Sequence, residues 1–241
     1  MKNIYDNKDF FDEYAKMSRS SMGLDGSGEW HQLKEMFDVF QGKKVLDMGC
    51  GYGWHSYYAA INGADEVIAF DESSLMLEKA KEINSHEKII YLNESLSSYD
   101  YPEEYFHTAV SNLVLHYVED LKTVYENVFF SLKKGGSFVF NIEHPTFTGS
   151  VNQEWIIDED GNNIYWPVDN YYYPGERNTI FLGKEVKKYH HTLTGIIMPL
   201  LETGFTLTRL IEAYPSEKDL SIPGMKDEMR RPMMLMIKAV K

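Results

Sequence analysis

The residues best suited to chemistry lie in one short stretch, Val45-Leu-Asp-Met-Gly-Cys-Gly-Tyr-Gly53. A strand runs into a turn with glycines at 49, 51 and 53, and a helix follows. Glycines there free the backbone dihedrals and let a ligand lie directly on the main chain. Asp71 stands 24 residues after Asp47, at the end of the next strand. A carboxylate at that point accepts both hydroxyls of a ribose. The pattern therefore indicates an adenosine-containing ligand. The dinucleotide fingerprint is G-x-G-x-x-G, but here the spacing is G-x-G-x-G, and Asp47 precedes the first glycine by two residues. A carboxylate repels a pyrophosphate and attracts the ammonium of a methionine moiety. Both departures favour S-adenosylmethionine over NAD.

These residues need a sheet to hold them. Strands are expected at 44–47, 66–71, 88–92, 106–111 and 137–142, with helices at about 54–62, 73–83 and 118–132 between them. Lys133-Lys-Gly-Gly136 is read as the stop of the third helix. Strict alternation implies a parallel sheet covered on both faces, an α/β doubly wound core. Right-handed crossovers put every strand's C-terminal end on one edge, where ligands bind. A helix at about 192–202, ended by Gly204, and strands at 206–213 and 233–240 close the chain. Before the sheet, Phe10, Phe11, Tyr14 and Met17, then Trp30, Leu33, Met36, Phe37 and Phe40, recur at helical spacing. Residues 20–28 between them read as a loop.

Two histidines fall on the ligand edge: His116 after the fourth strand and His144 after the fifth. A neutral imidazole is a suitable general base, so both are candidate catalytic residues. Cofactor contacts are expected from Asp47, Gly49, Cys50, Gly51, Asp71 and Met76. Ser95 and Leu96 after the third strand, and Asn112 and Leu113 after the fourth, complete that set. Residues 145–182 hold 8 aromatics in 38 positions, 21% against 14% overall. Asp160-Gly-Asn162 marks a turn, so a hairpin is expected there. Placed after the fifth strand, this segment can fold over the edge as a lid. Trp155, Trp166 and Tyr172 would line a substrate pocket, with His190 at the start of the next helix and Tyr14 and Trp30 from the N-terminal helices. An aromatic lid on an acidic protein suits an amine or other cationic acceptor through cation–π contact.

The chain resembles a class I S-adenosylmethionine-dependent methyltransferase of the bacterial small-molecule type. Asp47-Met-Gly-Cys-Gly-Tyr-Gly53 resembles the family's first motif and Phe70-Asp71 its second. Tyr91-Leu-Asn-Glu-Ser-Leu96, Ser111-Asn-Leu-Val-Leu-His116 and Leu132-Lys-Lys-Gly-Gly-Ser137 resemble later ones, with Lys134 where the family often has Pro. Glu29-Trp30, Gly53-Trp-His55, Glu143-His-Pro145 and Arg230-Arg-Pro232 are similar to an uncharacterised bacterial subgroup. The resemblance implies a Rossmann-like seven-stranded sheet with its last strand antiparallel. It implies methyl transfer from S-adenosylmethionine, leaving S-adenosylhomocysteine.

Composition narrows the partners. With 24 Lys and Arg against 37 Asp and Glu, the formal charge of the 241 residues is −13. That field disfavours a nucleic-acid partner. One cysteine forbids an internal disulfide and suits a reducing, cytoplasmic setting. No signal-peptide pattern and no membrane-length apolar run is read, and no metal site is expected. The organisation expected is a helical cap (1–42), a cofactor core (43–144), an aromatic segment (145–190) and a C-terminal return to the sheet (191–241). The acceptor expected is a small molecule. A tRNA or protein acceptor, or a non-catalytic protein that binds S-adenosylmethionine, stays open, as does the oligomeric state.

Overall fold

A computed structural model describes residues 3–150 and 152–241. Residues 1 and 2 of the N-terminal cap and residue 151 of the aromatic segment lie outside the described residues. Seven strands form the main sheet: β1 (Lys44–Met48), β2 (Glu66–Asp71), β3 (Ile89–Asn93), β4 (Phe106–Asn112), β5 (Leu132–Glu143), β10 (Thr206–Glu212) and β11 (Met234–Val240). Their order is β10-β11-β5-β4-β1-β2-β3. The first five run parallel, and β11 is antiparallel to both β5 and β10. The seven-stranded sheet with its last strand antiparallel is thus as expected. The order reverses at β1, between β2 and β4, which is where doubly wound sheets open a crevice.

Alternation along the strands sends side chains to two cores. Leu46, Met48, Phe138, Phe140, Leu235 and Ile237 pack under α6 (Leu121–Ser131) and α8 (Leu193–Thr203). Val45, Val67 and Val110 pack with Ala59 and Ala60 of α4 (Trp54–Ile61) on the other face. Asp47 shares the parity of Val45, so it points toward α4. The long helices start on side-chain caps. Ser73 caps α5 (Ser74–Ile83), Asp120 caps α6, and Thr192 caps α8, which ends at Gly204 with φ +112°.

Several boundaries differ from the sequence reading. The N-terminal region is a chain of short pieces: α1 (Lys8–Tyr14), α2 (Ser18–Ser21) and α3 (Trp30–Leu33), with 3-10 turns before α1 (Ile4–Asp6), between α2 and α3 (Gly23–Gly26) and after α3 (Lys34–Met36). The expected loop over 20–28 is therefore partly helical. The helix expected from 118 begins only at Leu121, because the Asp120 carboxylate accepts the Thr123 N–H at 3.2 Å. α6 ends before Lys133-Lys-Gly-Gly136, which forms the irregular start of β5, and Gly135 has φ +78° there.

After β5 come α7 (Pro145–Thr148) and two small hairpins. β6 (Ile156–Ile157) and β7 (Asn163–Tyr165) flank the expected Asp160-Gly-Asn162 turn. β8 (Gly175–Phe181) and β9 (Lys184–His190) form a second hairpin that the sequence reading lacks. The last helix is α9 (Met225–Glu228). Among the described residues, no helix is long and apolar enough to cross a membrane.

Candidate functional site

The glycine turn is lashed to the end of β2. The N–H groups of Gly49 and Cys50 both donate to the Phe70 carbonyl, at 2.8 and 3.0 Å. Gly49 has φ +70°, and a Cβ there would stand 2.4 Å from Val114 Cγ2. Gly51 has φ +53° but is open, with no atom within 4 Å of where a Cβ would be. The first glycine is thus demanded by packing, while the second leaves bare backbone facing the crevice. Gly49→Ala is expected to lower unfolding free energy by about 2 kcal/mol through strain and overpacking. A urea melt checks this, and an unchanged midpoint would refute the packing argument.

Two carboxylates flank the turn. Asp47 is buried, and its Oδ2 accepts the Ser56 hydroxyl at 2.5 Å. Asp71 Oδ2 accepts the Gly51 N–H and Oδ1 the Ser73 N–H, both at 2.9 Å. Burial pushes both carboxyls up to about 6; the Ser56 bond opposes this at Asp47, and the two N–H donors oppose it at Asp71. A carboxylate offers about four lone-pair sites, so both keep acceptor capacity. An arriving cation would favour their ionised forms.

The remaining candidates for cofactor contact vary in placement. Met76 is buried on α5, and Cys50 is buried with its thiol pushed up by burial. Ser95 closes its own turn, accepting from the Ser97 and Ser98 N–H groups, and the Leu96 carbonyl accepts the Tyr101 hydroxyl at 3.1 Å. Asn112 Oδ1 accepts from Asn141 Nδ2 at 3.0 Å. Leu113 takes φ +58°, a strained conformation for a branched side chain, and donates its N–H to the Asn141 carbonyl. That strain sits at the crevice rim, beside the glycine turn.

The two catalytic candidates have different surroundings. His144 caps α7, its Nδ1 accepting the Thr146 N–H at 3.0 Å, while its Nε2 lies 3.0 Å from Glu212 Oε1. That nitrogen is buried without a well-formed hydrogen bond, but the Glu212 carboxylate stands in front of it. His116 is 3% exposed. Its Nε2 lies 3.9 Å from Glu143 Oε1, and its Nδ1 is buried without a partner. Burial pushes its pKa down to about 4 against the pull of Glu143, with Lys188, His191 and Arg19 adding to the fall. It is therefore a neutral imidazole at pH 7.

Glu143 is the centre of a buried network. Its Oε1 accepts Lys188 Nζ at 2.5 Å and its Oε2 accepts Gln153 Nε2 at 3.1 Å. Burial alone would raise its carboxyl, but His116 where acid protonates it, the Lys188 ammonium and the hydrogen bonds from Lys188 and Gln153 hold it below the usual range. Lys188 comes from β9, so the second hairpin is pinned to the end of β5. His190 is the last residue of β9, not the opening of a helix. It is buried, with Nδ1 2.7 Å from Thr148 Oγ1 and Nε2 2.9 Å from the Tyr171 carbonyl.

A strap from the N-terminal region crosses the crevice. Tyr5 and Tyr117 share a hydrogen bond at 2.9 Å beyond β4. Asp6 Oδ1 accepts the Ser73 hydroxyl at 2.8 Å and the Leu75 N–H at 3.3 Å beyond β2. Tyr14 packs edge-on against Tyr5 and Tyr52. Arg19 donates through two nitrogens to the buried Glu29, at 3.1 and 3.3 Å. Trp30 instead packs on Phe37, His55 and Tyr58, with Leu33 and Met36, against one face of the sheet.

The aromatic segment uses its ring faces internally. Trp166 stacks on Phe147 at 5.0 Å and meets Trp155 edge-on. The Arg231 guanidinium lies 4.3 Å from the Trp166 ring centre, and that of Arg230 lies 4.6 Å from Trp155. The cation–π faces expected for a substrate are thus taken by the chain's own arginines. Tyr172 is 85% exposed, so its ring lines no enclosed space.

A methyltransferase-domain family matches residues 46–140. A Listeria monocytogenes protein assigned as an S-adenosylmethionine-dependent methyltransferase superposes with a TM-score of 0.87 and 42% identity, covering 91% of this chain and 99% of that one. An S-adenosylmethionine-dependent methyltransferase from Mesorhizobium loti gives 0.84 and 35%, covering 91% and 100%. A tRNA U34 carboxymethyltransferase from Shewanella frigidimarina is 26% identical over 160 residues, 64% of this chain but only 43% of that protein. Near-complete coverage at such identity, with the open Gly51 and the two carboxylates set around one crevice, identifies the chain as a class I S-adenosylmethionine-dependent methyltransferase.

Proposed function

We propose that the enzyme methylates a small molecule whose nucleophile carries a dissociable proton, with His116 as the base. The observation that carries this reading is the buried, unpartnered Nδ1 of a neutral His116 on the ligand edge. The cofactor supplies an electrophilic methyl group on a sulfonium. Asp71 would hold the ribose hydroxyls, Gly51 would back the ligand with bare main chain, and Asp47 would face its ammonium, directly or through water. His116 Nδ1, a weak base, would take the acceptor's proton as the new bond to methyl forms and makes that proton strongly acidic, and Glu143 at its other nitrogen would stabilise the resulting imidazolium. The strap and the hairpin exclude water from the edge, so alignment rather than strong acid–base chemistry does most of the work. Their cover also favours a small acceptor over a macromolecule.

Incubation with methyl-labelled cofactor and fractionated cell extract tests this. Label should enter the small-molecule fraction, and His116→Asn should abolish that transfer while still binding S-adenosylhomocysteine. Label in RNA alone would overturn it, and the likeness to a tRNA-modifying relative makes that the arm to run beside it.

Two further outcomes follow from the crevice. Gly51→Ala should still fold, losing about 1 kcal/mol for its positive φ but escaping the clash at Gly49, yet bind S-adenosylhomocysteine at least tenfold more weakly, read by calorimetry. Affinity should also depend on pH. The ligand favours ionised Asp47 and Asp71, whose free carboxyls titrate at about 6. Binding is therefore full above neutrality and falls as pH drops through 6, roughly tenfold per pH unit for each carboxylate required ionised. A flat profile from pH 7.5 to 5 would rule out the carboxylate roles.

A further inference from the structure

The opposite end of the sheet holds a second cleft of about 390 Å³, among whose lining residues are Lys43, His107, Lys133, Lys134, Lys238 and Asp38. It lies where β1 and β4 begin, the far end of the same strands that carry Asp47 and Asn112. Lys238 donates to Asp38 at 2.6 Å. Among the described residues, Lys43, Lys133 and Lys134 have no carboxylate within ion-pair distance. Four ammonium groups against one carboxylate leave 4 − 1 = +3 in this cleft, on a chain whose total is −13. Lys43 and Lys133 are half-buried and Lys134 is exposed, so water screens part of the repulsion among these like charges and an anion would answer the rest. His107 Nδ1 accepts the Lys44 N–H at 3.0 Å, so its neutral ring carries the proton on Nε2 as a donor.

We infer that this cleft is a binding site for a small anion carrying a di- or triphosphate. Its net charge of +3 calls for a ligand with several negative charges rather than a single carboxylate. Lysines serve such a group as point charges. The volume suits a small molecule, and the chain's overall negative field would repel a long polyanion. His107 already reports the local field. Its pKa is pushed down by burial and by Lys133, Lys43 and Lys44, against a smaller pull from Asp65. An anion seated among those lysines would move it back up.

The test uses inorganic tripolyphosphate as probe on the whole chain. Calorimetry should show binding that weakens as salt rises, and the His107 imidazole resonance should titrate at higher pH once the site is saturated. A triple variant, Lys43→Gln with Lys133→Gln and Lys134→Gln, should bind at least tenfold more weakly while its affinity for S-adenosylhomocysteine stays that of the parent. That second measurement also shows that the variant is folded. No heat together with an unmoved His107, or equal binding by the triple variant, would overturn the inference. So would a single-stranded RNA oligonucleotide that displaces tripolyphosphate at equal phosphate concentration.

Discussion

Asp71→Ala is expected to weaken S-adenosylhomocysteine binding by about a hundredfold, near 2.7 kcal/mol. The carboxylate has two duties, which is why the effect is large. It is the acceptor offered to the ribose, and it also holds the Gly51 N–H and the Ser73 N–H at 2.9 Å each. Removing it loosens the turn on one side and the start of α5 on the other. Asp71→Asn is the informative control. Its amide keeps one acceptor oxygen but sets an NH2 against one of those two donors. It should therefore fold better than the alanine variant and still bind poorly. Binding within threefold of the parent by both variants would remove Asp71 from the site.

The largest stability effect is expected at Lys188, which lies on the insertion rather than in the main sheet. Lys188→Met leaves Glu143 buried without its cation, and breaking such a pair costs about 3–5 kcal/mol. For a chain of this size that corresponds to a fall in Tm on the order of 10 °C. The pH dependence should change as well. Glu143 is held below its ordinary value, so its contribution to stability is present above the usual carboxylate range and is lost as pH falls through the folded value. In Lys188→Met that contribution should shrink or reverse, so the variant's deficit narrows in acid. Glu143→Gln together with Lys188→Met should recover much of the lost Tm, because neither charge is then stranded. A double variant no better than the single one would show that Lys188 acts through packing, as its position 5.4 Å from the Phe181 ring centre allows.

Local pattern made some of this legible. The buried run Val45-Leu-Asp-Met48 and the glycines after it are signals carried by neighbours in sequence, as are the strand-helix alternation and the place of Asp71. The β8–β9 hairpin was hidden because its inward positions include Lys188 and His190, so its alternation reads as a polar, exposed stretch. Glu143 was visible only as part of a motif. Its partners lie 45 and 10 residues away, and only the closed hairpin brings them together. The strap was hidden for the same reason, since Tyr5 meets a residue 112 positions on. The aromatic excess was legible and its use was not. Arg230-Arg231 stood in the sequence as a motif, but nothing local says that guanidinium groups 75 and 65 positions away fill the ring faces of Trp155 and Trp166.

The strap sets a timetable for the enzyme, on the reading proposed above. Its two tethers, the shared Tyr5–Tyr117 hydrogen bond and the Asp6 contacts, stand on opposite sides of the crevice. Hydrogen bonds of this kind contribute about 1 kcal/mol net each, so roughly one molecule in thirty has both undone at any moment. A spent cofactor beneath them leaves through that minority. We expect turnover to be paced by how often a short piece of backbone lifts, so that product release, measured directly by stopped flow, matches the steady-state rate.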